Sequence, residues 1–97
     1  MKVVWTELAH AQLDEAMAYI AADRPTTAAR WLELVLETAS SLSEFPDQGR
    51  MVDEAQREDI RELIVSPYRI IYRRDDTDIS ITMFLHVRRH LEAEDLG

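Results

Sequence analysis

The first half of the chain carries apolar side chains at helical spacing. Leu13, Ala16, Met17 and Ile20 follow the i, i+3, i+4, i+7 spacing of one helical face, which predicts a helix over about residues 7–22. A second helix is predicted over about residues 26–44 from the apolar positions Ala28, Trp31, Leu32, Val35, Ala39 and Leu42. Pro25 fits the first turn of the second helix and Pro46 stops it, so the two helices form a tight hairpin.

Strand-like sequences surround this hairpin. A short β-branched and aromatic run, "KVVW", precedes it, and three longer runs follow at residues 60–65, 68–74 and 79–87. The links "SP" and "DDTD" are short, so these three strands must pair antiparallel. We therefore predict one α+β domain over residues 1–97, in the order β-α-α-β-β-β, with the helical hairpin packed on one face of an antiparallel sheet.

Alternation along the strands predicts which side chains leave the core. In residues 79–87 the apolar set is Ile79, Ile81, Met83, Leu85 and Val87, and in residues 68–74 the tyrosines point inward because arginines lose hydration at high cost. Strict alternation then places a mixed cationic and apolar set on the face that the helices leave open. Its members are Arg69, Ile71, Arg73, Phe84, His86 and Arg88.

Composition limits what this set of side chains can bind. The formal net charge of -8 argues against general nucleic-acid binding, so contact with an acidic molecule has to be confined to one face. Arginines around an apolar patch suit an acidic protein partner with hydrophobic anchors. The same arginines could instead only solubilise the sheet and prevent edge-to-edge pairing, and the spacing does not separate these two interpretations.

Other kinds of chemistry have little support in the sequence. The chain has no cysteine, and His10, His86 and His90 lack a second ligand at metal spacing, so we expect no metal. No glycine-rich phosphate loop or nucleophile motif is present, and we expect no cofactor. The apolar runs are too short for a bilayer or a secretory signal, so the expected location is the cytoplasm, with no membrane contact.

The order of the motifs resembles a known family. Trp5, "AYI", "LSEFPDQGR", "IRELIV", "YRIIYRR" and "HVRRH" occur in sequence along essentially the whole chain. This series is similar to the RelE/ParE superfamily of bacterial type II toxins, also called plasmid stabilisation proteins. The resemblance implies a growth-inhibiting toxin held inactive by a cognate antitoxin, as a homodimer or as a toxin–antitoxin hetero-oligomer.

Two activities occur in that superfamily. ParE-like members bind and poison DNA gyrase, and RelE-like members cut mRNA on the ribosome. For the nuclease, Arg61, Arg73 and Arg88 would hold phosphate, His86 would act as acid or base, and Glu58 or Glu62 would be the base. Because Arg61 and Glu62 point to opposite sheet faces, and the acidic chain lacks a lysine-rich face, we favour the ParE-like binding inhibitor over an enzyme. The ribosome-dependent mRNA endoribonuclease is the alternative.

Overall fold

The computed structural model describes residues 1–96 as two helices packed on one face of a five-stranded sheet. The elements are β1 (Lys2–Trp5), α1 (Glu7–Ala21), α2 (Pro25–Ser40), β2 (Arg50–Met51), β3 (Ile60–Val65), β4 (Tyr68–Arg74) and β5 (Asp78–His86). Short 3₁₀ turns lie at Ser41–Ser43 and Ala93–Leu96. The strand order is β1-β5-β4-β3-β2. The predicted α+β class and helical hairpin are confirmed.

The sheet is mixed, which corrects the prediction of an antiparallel sheet. Strands β3, β4 and β5 pair antiparallel as expected. In contrast, β1 runs parallel to β5, with Lys2 opposite Asp78 and Trp5 opposite Ile81. The rule that short links force antiparallel pairing does not apply to β1, because the helical hairpin and three strands separate it from β5 in the sequence. The two-residue β2 lies between the predicted second helix and the predicted strand at residues 60–65, and it extends the opposite edge of the sheet.

The helical stripes pack against the sheet as predicted. Thr6 caps α1 by accepting a hydrogen bond from the Ala9 N–H at 3.2 Å, and Pro25 opens α2. Buried side chains of both helices form one cluster with residues of β3, β4 and β5. The cluster contains Ala9, Leu13, Ala16, Val35, Ala39, Leu42, Val65, Ile70, Tyr72, Ile79, Ile81 and Phe84.

A β-bulge in β5 changes which residues face the helices. Tyr72 pairs with Ile81 and Ile71 pairs with Met83, so Thr82 has no opposite residue in β4. After the bulge the alternation is inverted, and Phe84 enters the helix-side cluster, where its ring stacks on Tyr68 with a centroid distance of 5.0 Å. The predicted outward positions of Phe84 and His86 are therefore wrong, as are the predicted inward positions of Met83 and Leu85.

The face of the sheet away from the helices carries a second apolar cluster. Val52, Ile60, Ile71, Leu85 and Leu91 are buried there, and Ile71 is 0% exposed. The loop after β2 and the segment after β5 cover this face. Ile71 lies on the predicted face, but it is a core residue instead of an exposed one.

A hydrogen-bonded tyrosine holds the loop between α2 and β2 against the sheet. The Tyr72 hydroxyl accepts from the Gly49 N–H at 3.0 Å and donates to the Pro46 carbonyl at 2.8 Å. Burial raises the pKa of Tyr72, which keeps this donor protonated. A Cβ on Gly49 would lie 2.7 Å from both the Glu62 carbonyl oxygen and the Tyr72 hydroxyl, so only glycine fits here without a shift of the chain.

We expect Gly49→Ala to lower the free energy of unfolding by about 1–3 kcal/mol, because the added methyl group overpacks a buried contact with backbone. Urea denaturation followed by circular dichroism measures this loss. Ser43→Ala is the control, since Ser43 is exposed in the 3₁₀ turn that precedes this loop, and it should stay within about 0.5 kcal/mol of the wild type. Equal stabilities for Gly49→Ala and wild type would show that the close approach is not a constraint.

Candidate protein-binding surfaces

The residues predicted to form one partner surface are divided between two faces. Arg69, Ile71 and Arg73 lie on the face away from the helices. Phe84 and His86 lie on the helix side because of the bulge at Thr82. Arg88 lies in an exposed turn beyond the end of β5. The structure therefore does not bring this set together, and the role of each member in binding stays a prediction.

Arg69 is neutralised inside the protein. Its side chain is 8% exposed, and its Nε donates to Glu62 at 2.6 Å. Both terminal nitrogens donate to the Glu54 carboxylate at 3.0 Å. Glu62, which is 3% exposed, also accepts from Arg50 Nε at 2.8 Å. The four side chains join β2, β3, β4 and the loop between β2 and β3 in one network, so Arg69 is a structural cation.

The network also affects the charged state of its members. The hydrogen bond from Arg69 lowers the pKa of Glu54. Burial of Arg69 acts against its charged form, but the hydrogen bonds to Glu54 and Glu62 outweigh this effect, and the pKa of Arg69 is raised. Glu54 and Arg69 are therefore ionised and paired at neutral pH. The exposed Arg73 is the remaining cation of the predicted set on this face.

Most of the residues proposed for a nuclease are far apart. Arg61 pairs with Tyr72 and donates to the carbonyls of Gly49 and Glu58 at 2.9 and 3.0 Å. His86 pairs with Tyr68, which is four residues from Tyr72 along β4, or about 13 Å. Glu62 lies on the opposite sheet face from Arg61, as predicted, where Arg50 and Arg69 hold it. Arg73 lies on that opposite face and Arg88 is an exposed turn residue. Glu58 alone lies beside Arg61, in a cleft whose other lining residues are mostly acidic.

A cleft of about 460 Å³ opens between α1 and the ends of β4 and β5. Helix α1 contributes Gln12, Glu15, Ala16 and Tyr19, and the strand end contributes Tyr68, Phe84, Leu85, His86 and Arg89. The stacked rings of Tyr68 and Phe84 form an apolar floor. His86 meets Tyr68 edge-on at 5.3 Å, and its Nδ1 accepts from the Arg88 N–H at 3.1 Å.

The walls of the cleft carry groups suited to binding a protein. Tyr19 is 81% exposed and offers aromatic surface at the open side of the cleft. Burial raises the pKa of Tyr68, helped by the neighbouring Tyr19, so this phenol stays neutral. Arg89 supplies a guanidinium at the open side. The cleft therefore combines aromatic surface, hydrogen-bonding groups and positive charge, the usual composition of a protein-binding site.

Sequence patterns did not single out Gln12, Tyr19 or Arg89. One usable signal was present: Tyr19 is an aromatic residue that falls outside the apolar stripe of Leu13, Ala16, Met17 and Ile20. The spacing of the stripe therefore indicated that the Tyr19 side chain would be exposed. The position of Arg89 beside α1 depends on the inverted face of β5 and could not be read from local sequence.

Residues 1–96 contain no group of three His, Asp or Glu side chains arranged to hold a metal ion. Neither helix in that part of the chain has the length and apolarity needed to span a bilayer.

Comparison with solved structures identifies the class of fold. The chain is similar to a chain of the chromosomal ParDE TA system from P. aeruginosa, with a TM-score of 0.74 over 89% of this chain and 95% of that one. Sequence identity between the two is 21%, so this likeness concerns the fold. The helical hairpin on a mixed sheet is thus a fold that this chain shares with that ParDE chain.

Sequence comparisons identify the family. Residues 3–93 match the profile of the ParE toxin of the type II toxin-antitoxin system parDE. The chain is also 34% identical over 88 residues to Toxin RelE2 of Caulobacter vibrioides, covering 91% of this chain and 97% of that protein. The protein therefore belongs to the ParE family within the RelE/ParE superfamily. It is a toxin of a type II toxin–antitoxin system, and the family implies a cognate antitoxin as its partner.

The buried network gives a first prediction for this part of the molecule. We expect Glu62→Ala to lower the free energy of unfolding by about 3–5 kcal/mol, because Arg69 loses its shortest ion pair while it stays buried. Chemical denaturation measures the loss. Asp59→Ala, which breaks the exposed pair with Arg57, should cost far less than Glu62→Ala. A similar small cost for both variants would show that the network does not depend on Glu62.

The lowered pKa of Glu54 gives a second prediction. A carboxylate whose pKa is lower in the folded state stabilises the fold above its unfolded value of about 4.3, and this stability is lost as pH falls through the lowered value. We expect Glu54→Gln to have a lower Tm at neutral pH and a smaller loss of Tm on acidification than the wild type. Thermal unfolding across an acidic pH series tests this. Parallel Tm curves for the two proteins would contradict it.

Proposed function

We propose that this toxin acts in the bacterial cytoplasm by binding DNA gyrase and blocking its reaction, and that its antitoxin neutralises it by direct contact. A toxin of this kind needs a binding surface and no catalytic groups of its own. Both the acidic chain and the match to the ParE profile are compatible with this activity.

The observation that carries the proposal is the separation of the nuclease candidates. Cutting RNA at a ribose 2′-OH requires a base, an acid and phosphate-binding cations around one phosphate. In this protein Arg61 is engaged by two backbone carbonyls and Glu62 by two arginines. His86 lies at the other end of the sheet from Arg61. These groups cannot act together on one phosphate without a large rearrangement, which supports inhibition by binding.

A RelE-like mRNA endoribonuclease is the second candidate function. One observation favours it, namely that Glu15, His86 and Arg89 line the same cleft and offer a carboxylate, an imidazole and a guanidinium. The net charge of -8 works against it, because approach to ribosomal RNA requires a strong positive field. We therefore rank it below gyrase inhibition.

Induction of the toxin alone in a bacterial host distinguishes the two activities. Incorporation of labelled thymidine and labelled methionine is followed side by side after induction. We expect thymidine incorporation to fall first, because a gyrase inhibitor stops DNA replication before it affects translation. Purified toxin should also inhibit supercoiling of relaxed plasmid DNA by purified gyrase, in a reaction that contains no ribosomes.

Three controls accompany this experiment. Co-expression of the antitoxin should restore both incorporations, and Arg61→Ala and His86→Ala each remove one nuclease candidate. Under the proposal neither variant removes a catalytic group, so neither should abolish inhibition of gyrase. An early fall in methionine incorporation, together with cleavage of mRNA on purified ribosomes that His86→Ala abolishes, would establish the nuclease instead.

A further inference from the structure

We propose that the free edge of β1 pairs with the same edge of a second copy of this chain, so that two five-stranded sheets join across a two-fold axis into one continuous sheet. The inference goes beyond the proposed function, and it is independent of whether gyrase is the target. It rests on the backbone of β1, on the register that the side chains of β1 favour and on the position of α1.

Strand β1 has unpaired backbone groups along one side. It forms one edge of the sheet, and within residues 1–96 it pairs with β5 alone. The Thr6 N–H donates to the Ile81 carbonyl, so by two-residue alternation the backbone groups of Val4 also point toward β5. The N–H and C=O groups of Val3 and Trp5 then point away from the sheet. Such a row of free donors and acceptors is a template for another strand.

One antiparallel register uses all of these free groups. With Val4 on the two-fold axis, Val3 of each copy lies opposite Trp5 of the other, and each of these pairs exchanges both of its hydrogen bonds. A register centred on Val3 would place Trp5 opposite Met1, and one centred on Trp5 would place Val3 opposite Glu7. Met1 and Glu7 both lie outside the strand, so these registers lose hydrogen bonds.

The side chains of β1 fit the register centred on Val4. Val3 and Trp5 lie on the helix side, where a pair of a β-branched and an aromatic residue across two strands is favourable. Val4 is 39% exposed on the opposite face and would meet Val4 of the other copy, in a pair whose side chains approach closely. The exposed Lys2 of one copy would lie near the exposed Glu7 of the other, which begins α1. The edge is thus complementary to itself in shape and charge.

The helical layer leaves room for the second copy. Helix α1 packs on β5, one strand away from the edge. In the dimer the two α1 helices would be three strand spacings apart, or about 14 Å, whereas packed helices lie about 8–10 Å apart. Leu8 is 53% exposed and shares one side of α1 with Gln12, which accepts from the Phe84 N–H of β5 beyond the end of β1. Leu8 and Trp5 are therefore placed to fill the space between the helices.

The dimer should be weak and should depend on concentration. Two short strands bury far less than the about 800 Å² per partner that is typical of a stable complex. The net charge of -8 on each copy also opposes association, and salt screens this repulsion. We therefore expect the fraction of dimer to increase with toxin concentration and with ionic strength.

Sedimentation velocity of the purified toxin over a concentration series measures the association. Val4→Glu places two carboxylates opposite each other at the two-fold axis, so we expect it to weaken dimerisation more than about tenfold. Val87→Glu is the matched control, because Val87 has a similar exposure of 44% but lies after the end of β5 that β1 does not cover. It should dimerise as the wild type does.

A second pair of variants tests the backbone at position 3. Val3→Pro removes the outward N–H but keeps the pairing of β1 with β5, since an edge strand tolerates proline where its N–H faces solvent. We expect it to weaken dimerisation about tenfold, because each copy loses one hydrogen bond and gains a ring at the interface. Val3→Ala loses the same side chain and keeps the N–H, so it should weaken dimerisation less. Circular dichroism checks that each variant is folded.

Cross-linking locates the two-fold axis. The chain has no cysteine, so Val4→Cys introduces a single thiol. The close approach of two residues in a non-hydrogen-bonded pair suits a disulfide, and oxidised glutathione should convert this variant to a covalent dimer. Val87→Cys should stay largely monomeric under the same conditions.

Three results would overturn the proposal. A wild-type toxin that stays monomeric at every concentration and salt would exclude the dimer. A dimer that neither Val4→Glu nor Val3→Pro weakens would use another surface. A monomeric toxin whose Val3→Pro variant loses affinity for the antitoxin would assign the β1 edge to an antitoxin strand. None of these measurements involves gyrase, so the dimer and the proposed function stand or fall separately.

Discussion

The extra residue in β5, Thr82, controls which side chains of the sheet meet the helices. Its hydroxyl donates to the Ile71 carbonyl at 3.4 Å, and its own carbonyl accepts from Thr6 at the start of α1. The Thr6 N–H also donates to the Ile81 carbonyl at 3.0 Å. These hydrogen bonds connect the bulge to the point where β1 ends and α1 begins. One inserted residue thus fixes the entry of the helical hairpin and inverts the faces of everything after it.

The two apolar clusters follow from this inversion. Before the bulge, Ile79 and Ile81 join the helix-side cluster, and after it Phe84 does, whereas Leu85 faces the other way. A sheet face that carries Ile71 and Leu85 cannot stay in water, and the loop after β2 and the segment after β5 cover it. The Arg50–Glu62–Arg69–Glu54 network lies on the same face, where each buried charge has a partner. On the face of the sheet away from the helices, the apolar side chains are therefore largely covered and the buried charges are paired within the protein.

For a toxin, this arrangement separates stability from recognition. The network of Arg50, Glu62, Arg69 and Glu54 holds the sheet together on its outer face. Arg88 and Arg89 are exposed after β5, and Arg89 lines the cleft with the aromatic floor. The overall net charge of -8 disfavours unspecific contact with nucleic acid. The nuclease candidates Arg61, Glu62 and His86 are dispersed over the sheet, which supports the proposal of inhibition by binding.

The sequence by itself determined the local elements and the fold class. The apolar stripe of α1, the break at Pro25 and the antiparallel runs of β3, β4 and β5 are all encoded by spacing within a few residues, and each is present. The motif order also identified the toxin family. The tertiary structure alone decided the faces after Thr82, the pairing of Arg69 with Glu54 and the cleft beside Tyr19. These three features depend on the register between strands and on contacts between residues that are distant in the chain. The alternation of apolar and polar residues along one strand does not show where a bulge shifts that register.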